Sequence, residues 1–131
     1  MIDRCCAHAR RFEELLAGRP GVTVLNDVVL NQVLVRFSPP AVALDRAGDD
    51  AGRSKAVDAF TRDVIARIQA DGTAWFGGTT WHGMAAMRIS VSSWATTNDD
   101  VERSAAVVLR CAAEAAGAAT AAAANEAVQP V

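Results

Sequence analysis

The stretch GTAWFGGTTWHGMAAMRISVSSWATTNDDV, residues 72–101, contains the signals that decide the fold. Residues 73–81 predict a β-strand with an irregularity, such as a bulge, at Gly77-Gly78. The pair His82-Gly83 indicates a hairpin turn. Residues 85–92 then alternate apolar and polar side chains, as a half-buried strand does. The stretch therefore predicts an antiparallel hairpin with one apolar face.

Helix and strand signals alternate along the rest of the chain. Apolar residues recur at steps of three and four in residues 3–17 and 56–70, which predicts two amphipathic helices. Residues 22–25 predict a short strand, and residues 28–37 predict the longest one. Proline cannot donate to a strand ladder, so this strand should end at Ser38-Pro39-Pro40.

A final helix is predicted from the capping-box pattern that Thr97 forms with Asp100. Polar, glycine-containing sequence predicts a mobile loop over about 38–55. The alanine-rich residues 117–131 predict a flexible tail after a domain of residues 1–116. The order of elements predicts an α+β fold with two layers. It consists of a mainly antiparallel sheet of about four strands, with helices packed on one face.

Length and composition exclude several classes of protein. The 131 residues are enough for one domain with its own core, and 51% of them are hydrophobic. A net charge of −2 gives no electrostatic footprint for nucleic acid or an anionic membrane. No apolar run approaches the roughly 18 residues of a membrane span. The odd set Cys5, Cys6 and Cys111 indicates reduced thiols and a cytoplasmic location.

Most residues that could carry chemistry have a simpler structural explanation. Cys5, Cys6 and His8 lie within one helical turn, but no second ligand pair at metal spacing accompanies them, so no metal site is expected. His82 falls in a turn, where a solvated histidine is the usual outcome. Gly77-Gly78 is not followed by a lysine or a helix, as a phosphate-binding loop would be.

Arg88 is the strongest candidate for a binding residue. It falls inside a predicted strand, on the face that also carries Ser90 and Ser92. A guanidinium in that setting needs an anionic partner or an open cleft, because burying an unpaired charge is costly. Its planar fork matches a carboxylate through two parallel hydrogen bonds. The alternative is a structural ion pair with an acidic residue from a neighbouring helix.

Residues 72–101 resemble the C-terminal small domain of pyridoxal-phosphate (PLP)-dependent decarboxylases of the aromatic-L-amino-acid and glutamate decarboxylase group. These enzymes share the aspartate aminotransferase fold. Residues 5–37 are similar to the helix and strand with which that domain begins, so the resemblance covers roughly residues 1–112. Its most specific part is MRISVSSW, residues 87–94. The resemblance implies that Arg88 binds the α-carboxylate of an amino-acid substrate.

The resemblance also implies a parent enzyme, a carbon–carbon lyase that decarboxylates an amino acid. PLP enzymes hold their cofactor as a Schiff base on a lysine. Lys55 is the only lysine here and lacks the expected His-Lys context. The chain alone is therefore expected to bind no cofactor, to have no catalytic residue and to be inactive. It would be the C-terminal part of the enzyme, whether as a fragment, a split gene product or a truncated remnant.

The partner that the resemblance implies is the cofactor-binding large domain, in a cytoplasmic homo-oligomer such as a homodimer. The helical stripe of Phe12, Leu15 and Leu16 is expected to meet that domain and to be exposed without it. The alternative from another class is a free-standing α+β binding, regulatory or dimerisation module without catalysis.

Overall fold

A computed structural model describes residues 2–26, 32–72, 76–90 and 97–128. These residues form four helices and four strands. In chain order they are α1 (Ile2–Leu16), β1 (Val22–Val24), β2 (Gln32–Phe37), α2 (Ala41–Arg46), α3 (Asp50–Asp71), β3 (Gly77–Trp81), β4 (Met84–Ser90) and α4 (Asn98–Val128). Parts of the predicted strands, at residues 28–31, 73–75 and 91–92, lie outside the described residues.

The four strands form one antiparallel sheet in the order β1-β2-β4-β3. The β3–β4 hairpin is confirmed: Trp81 pairs with Met84, and His82 and Gly83 between them have φ values of 50° and 77°. Two positive φ values define the type I′ turn that matches the twist of the strands, and Gly83 adopts its value without strain. Pairing continues without interruption to Gly77, so the predicted bulge is wrong.

The core lies between one face of the sheet and the helical layer. Alternate residues of the two central strands belong to the core, including Val33 and Val35 of β2 and Met87 and Ile89 of β4. Helices α1 and α3 pack against the sheet, while α4 contacts the other three helices. The predicted α+β fold is confirmed.

The apolar stripe of α1 is part of this core, so the prediction that it is exposed is wrong. Leu16 is fully buried and Phe12 is 3% exposed. The Phe12 and Phe76 rings are nearly perpendicular, with their centroids 5.8 Å apart. Leu15, partly buried, packs against the same cluster. The chain covers this face with its own residues.

The predicted loop over about 38–55 is wrong for most of its length. Helix α2 occupies part of it, and α3 begins at Asp50, earlier than the apolar periodicity indicates. Asp49 caps α3 by accepting a hydrogen bond from the Gly52 amide, 2.9 Å away. A Cβ at Gly52 would lie 2.1 Å from the Ala47 carbonyl oxygen, so this glycine allows the two helices to meet closely. The polar, glycine-containing sequence of this segment therefore corresponds to two helices and the short connection between them.

Helix α4 begins at the predicted capping box: the Asp100 amide donates to Thr97 Oγ1 over 3.1 Å, and the Thr97 amide donates to Asp100 Oδ2 over 2.9 Å. The helix continues to Val128, so residues 117–128 are helical, while the flexibility expected of the alanine-rich tail stays a prediction. Ala115 and Ala123 are buried along it. Small alanine side chains combine high helix propensity with close packing.

Helix α4 is also long and apolar enough to cross a membrane, by length and composition alone: an 18-residue stretch within Asn98–Ala124 has a mean hydropathy of 1.3. The sequence-based expectation that no such run exists is therefore wrong. Core helices of soluble domains pass the same test, and α4 contributes Val101, Val108 and Cys111 to the core.

Side chains of α3 complete the end of the sheet. Strands β2 and β4 pair as far as Val35 and Met87, and the same register would next bring Phe37 opposite Ala85. Thr61 Oγ1 instead accepts a hydrogen bond from the Phe37 amide, 3.1 Å away, and donates one to the Phe37 carbonyl, 2.9 Å away.

On the β4 side, Asp58 Oδ1 accepts a hydrogen bond from the Ala85 amide over 3.0 Å. Arg36 Nη1 donates to the Ala85 carbonyl and to Asp58 Oδ1, each over 2.7 Å. The amide and the carbonyl of both Phe37 and Ala85 therefore have hydrogen-bond partners where α3 meets the sheet.

We expect Thr61→Val to destabilise the domain by about 1–3 kcal/mol, because an isosteric methyl group leaves the buried amide and carbonyl of Phe37 unpaired. Thr120→Val is the control, since Thr120 is exposed and its hydroxyl donates to the Ala116 carbonyl of its own helix. Urea unfolding followed by circular dichroism measures both. Equal losses for the two variants would contradict the bridging role of Thr61.

Candidate functional site

Arg88 lies in the middle of β4, opposite Leu34 of β2 on one side and Gly77 of β3 on the other. Its neighbours Met87 and Ile89 point into the core, so strand alternation places Arg88 on the opposite face of the sheet. The residue is exposed. It forms no hydrogen bond or ion pair with another residue in the part of the chain that the structure describes. Its guanidinium therefore faces solvent, without an acidic residue from the described helices beside it.

The helix-to-strand ion pair considered for Arg88 is instead formed by Arg36. Arg36 is 8% exposed, and its Nη1 lies 2.7 Å from Asp58 Oδ1 of α3. Arg36 is two residues beyond Leu34, so alternation assigns it to the same face of the sheet as Arg88. Sequence analysis missed this pair, although Asp58 immediately follows Val57 at the start of the predicted apolar stripe. The sheet thus contains one arginine held in a closed network and one without a partner among the described residues.

The surroundings of Asp58 keep it ionised. The hydrogen bond from Arg36 is the largest effect and lowers the pKa of the Asp58 carboxyl. Burial opposes that shift, while the hydrogen bond from the Ala85 amide adds to it, and the net result is a pKa below the ordinary value. Arg36 and Asp58 therefore meet as a charged pair at neutral pH.

The remaining sequence candidates do not gather around Arg88. His82 is exposed at the hairpin tip, with its ring centroid 4.0 Å from that of Trp81. Cys111 is buried in the core, and burial raises the pKa of its thiol. The Cys5 side chain lies outside the described residues, and Cys6 is half-buried and free. Among the described residues, no three His, Cys, Asp or Glu side chains are placed to hold a metal ion.

Buried His8 has an Nδ1 atom without a hydrogen-bond partner. It belongs to the face of α1 that packs into the core, together with Ala9 and Phe12. Its position indicates a core histidine.

The described residues do not fit a site for PLP. Lys55 is exposed on α3, in the helical layer, whereas Arg88 lies on the other side of the sheet. Asp58, one turn after Lys55, is engaged by Arg36 and the Ala85 amide. A lysine and an acidic residue that could both reach one cofactor ring are therefore not found together on the Arg88 face of the described residues.

Two shallow clefts lie elsewhere on the molecule. One, of about 370 Å³, separates α3 from the β3–β4 hairpin and has Arg62, Gln69 and Thr80 among its lining residues. The other, of about 340 Å³, lies between residues 19–22 and α4, with Phe60, Leu109 and three alanines of α4 among its lining residues. Neither cleft is lined by an acidic, histidine or cysteine side chain.

Comparison with known proteins gives similarity in structure but not in sequence. No family model and no curated protein matches the chain. The crystal structure of Oryza sativa TDC with PLP and tryptamine superposes with a TM-score of 0.72 at 22% identity, over 86% of this chain and 22% of that one. Catharanthus roseus tryptophan decarboxylase in complex with L-tryptophan gives a TM-score of 0.72 at 18% identity, over 87% of this chain and 22% of that one.

A third similar structure is the glutamate decarboxylase domain of diaminobutyrate-pyruvate transaminase and L-2,4-diaminobutyrate decarboxylase from Vibrio parahaemolyticus. It superposes with a TM-score of 0.64 at 18% identity, over 86% of this chain and 22% of that one. At these identities the comparisons establish a shared fold. The chain spans about a fifth of the length of the proteins it resembles, and the resemblance seen in residues 72–101 is confirmed at the level of the fold.

The stability of the domain should decrease in acid because of Asp58. Its folded-state pKa lies below the unfolded value of about 4, so its contribution is complete above that pH and is lost as the pH falls through the folded value. We expect Asp58→Asn to flatten the acid side of the stability profile measured by urea unfolding. Asp63→Asn is the control, since Asp63 lies on the surface of the same helix. A profile unchanged by Asp58→Asn would contradict the assignment.

Proposed function

We propose that this chain is the small C-terminal domain of a PLP-dependent amino-acid decarboxylase, in which Arg88 binds the α-carboxylate of the substrate. The proposal combines two findings of different kinds. The fold is shared with decarboxylases from two plants and a bacterium. Arg88, which is exposed and has no partner among the described residues, lies on the sheet face away from the described helices.

The observation that carries the proposal is the contrast between the two arginines of the sheet. Arg36 is neutralised by Asp58 and is committed to the fold, whereas Arg88 has no such partner among the described residues. A residue that binds a ligand carboxylate must be free of competing acids before the ligand arrives. Within the described part of the chain, Arg88 meets that requirement.

Arg88 would bind and orient the substrate. A guanidinium donates two parallel hydrogen bonds to the two oxygens of one carboxylate, which fixes both the position and the plane of that group. The central position in a four-stranded sheet limits the movement of the Arg88 backbone, since β4 pairs on both sides. The arginine is thereby presented from a rigid element, as an orienting residue requires.

The cofactor and the bond-breaking chemistry belong, in this proposal, to a large domain that packs against the Arg88 face. Leu34, Trp81 and Met84 share that face by strand alternation and are half-buried in the chain alone, so they offer apolar surface around the arginine. We further propose a cytoplasmic homodimer for the assembled enzyme. Residues of the large domain would contact the side chain of the amino-acid substrate and so determine substrate specificity.

The test requires the cofactor domain. Genomic DNA upstream of the Met1 codon is read for in-frame sequence encoding a His-Lys pair, and the joined product is assayed for PLP-dependent decarboxylation of amino acids. We expect Arg88→Lys to reduce kcat/KM by an amount equivalent to about 2–3 kcal/mol, because a point charge replaces a two-pronged donor. Arg88→Ala should cost more, and both variants should keep the folding stability of the domain.

Arg62→Lys is the matched control for these kinetics. Arg62 is an exposed arginine of α3, on the helical side of the sheet. Activity that responds equally to both lysine variants would contradict the role of Arg88. A chain that is encoded without a cofactor domain, and that dimerises through its sheet or α1, would instead support the alternative of a free-standing module.

A further inference from the structure

The surroundings of Arg88 differ on its two sides. Towards β2 the opposite residue is Leu34, which is half-buried, and towards β3 it is Gly77. Directly opposed residues of antiparallel strands have Cβ atoms on the same face, about 4.5–5.5 Å apart. Any side chain at position 77 would therefore stand beside Arg88. Glycine leaves that position empty.

Neither the backbone nor the packing requires a glycine at position 77. A Cβ atom built there has no heavy atom within 4 Å among the described residues outside its two chain neighbours, so these residues leave room for a side chain to begin there. Gly77 is not among the glycines with positive φ, so its backbone conformation is open to other residues. Glycine also weakens a strand, because it has no side chain to pack and a larger conformational entropy to lose.

The adjacent Gly78 is in a different position. A Cβ there would lie 3.8 Å from Ile65 Cδ1 of α3, on the helical side of the sheet. Alternation directs positions 77 and 78 to opposite faces, and only position 77 shares a face with Arg88. The open space next to the guanidinium is therefore associated with Gly77.

We propose that Gly77 keeps open the path by which an anion reaches Arg88. The carboxylate, and the group that carries it, would lie over Gly77, with Leu34 on the far side of the arginine. Thr79, the next residue of that face on β3, borders the path. Among the described strands β3 lies at the edge of the sheet, so the proposed path runs along that edge. This inference rests on the proposed carboxylate-binding role of Arg88 and adds the direction of approach.

A side chain at position 77 would then have opposite effects on stability and on access. Gly77→Val and Gly77→Leu add side chains whose Cβ has no close neighbour among the described residues, and valine also favours strands, so we expect the thermal midpoint to stay the same or rise. The same side chains should restrict access to the Arg88 guanidinium. A glycine with a purely structural role would give loss of stability and no specific change at Arg88.

The experiment measures arginine accessibility in the 131-residue chain. The chain is treated with p-hydroxyphenylglyoxal, an arginine-selective dicarbonyl, and the rate at each arginine is read by peptide mass spectrometry, with and without acetate as the carboxylate probe. Arg62, exposed on α3, is the internal reference. Thr80→Leu is the matched control, because it adds bulk at an exposed position of the same strand but on the other face.

We expect rapid modification of Arg88 in the natural sequence and selective protection by acetate. Gly77→Val and Gly77→Leu should slow modification of Arg88 several-fold and abolish its protection, with no change at Arg62, whereas Thr80→Leu should change neither. If the modification rate of Arg88 is unchanged in a folded Gly77→Leu variant, Gly77 does not keep the path to Arg88 open, and this holds whether or not acetate protects Arg88. Slower modification in the glycine variants, with no acetate protection even in the natural sequence, would overturn the carboxylate-binding role of Arg88 itself.

Discussion

The fold depends on the hydrogen bonds through which α3 enters the end of the sheet. Phe37 and Ala85 would continue the β2–β4 ladder, yet their backbone groups bond to Thr61, Asp58 and Arg36. Because side chains of α3 replace one pair of β-ladder hydrogen bonds, the helix cannot shift along the sheet without leaving buried backbone groups unpaired. The free-energy cost of an unpaired buried group exceeds the net stabilisation from the hydrogen bond itself. These contacts fix the position of α3, and with it the helical layer that closes the core.

The docking of α3 also places Arg36 and Arg88 in different surroundings. Arg36 and Arg88 both belong to strands and share one face by alternation, but only Arg36 lies where Asp58 of α3 can reach it. Burial and the charged hydrogen bond make Arg36 a part of the fold, since removing one partner would leave the other charge unpaired. Arg88, near the middle of β4, has no acidic partner among the described residues, and the carboxylate-binding role given to it is our proposal. The described part of the sheet thus pairs one arginine with an acid of α3 and leaves the other without such a partner.

Local signals were sufficient to predict the elements whose boundaries depend on local chemistry. The His82-Gly83 turn and the Thr97–Asp100 capping box were both predicted, because backbone sterics and reciprocal hydrogen bonds are encoded within a few residues. Tertiary contacts decided the rest. Alanines of α4 pack beyond residue 117, and a polar segment became α2 and the start of α3 because Gly52 allows a close junction. Which strand arginine would find an acid could not be predicted either, since the choice depends on where α3 docks.

The most direct test of the difference between paired Arg36 and exposed Arg88 is NMR spectroscopy of a ¹⁵N-labelled chain, in which the Nε–H signal of each arginine is followed. Acetate is added at constant ionic strength, and the chemical shifts of Arg88 and Arg36 are compared, with the Arg88→Lys variant used to assign the first signal. The structure predicts that the Arg88 signal moves in a saturable manner, while the Arg36 signal stays fixed in its bond network. An Arg88 signal that does not respond, or a response equal to that of Arg36, would contradict the account.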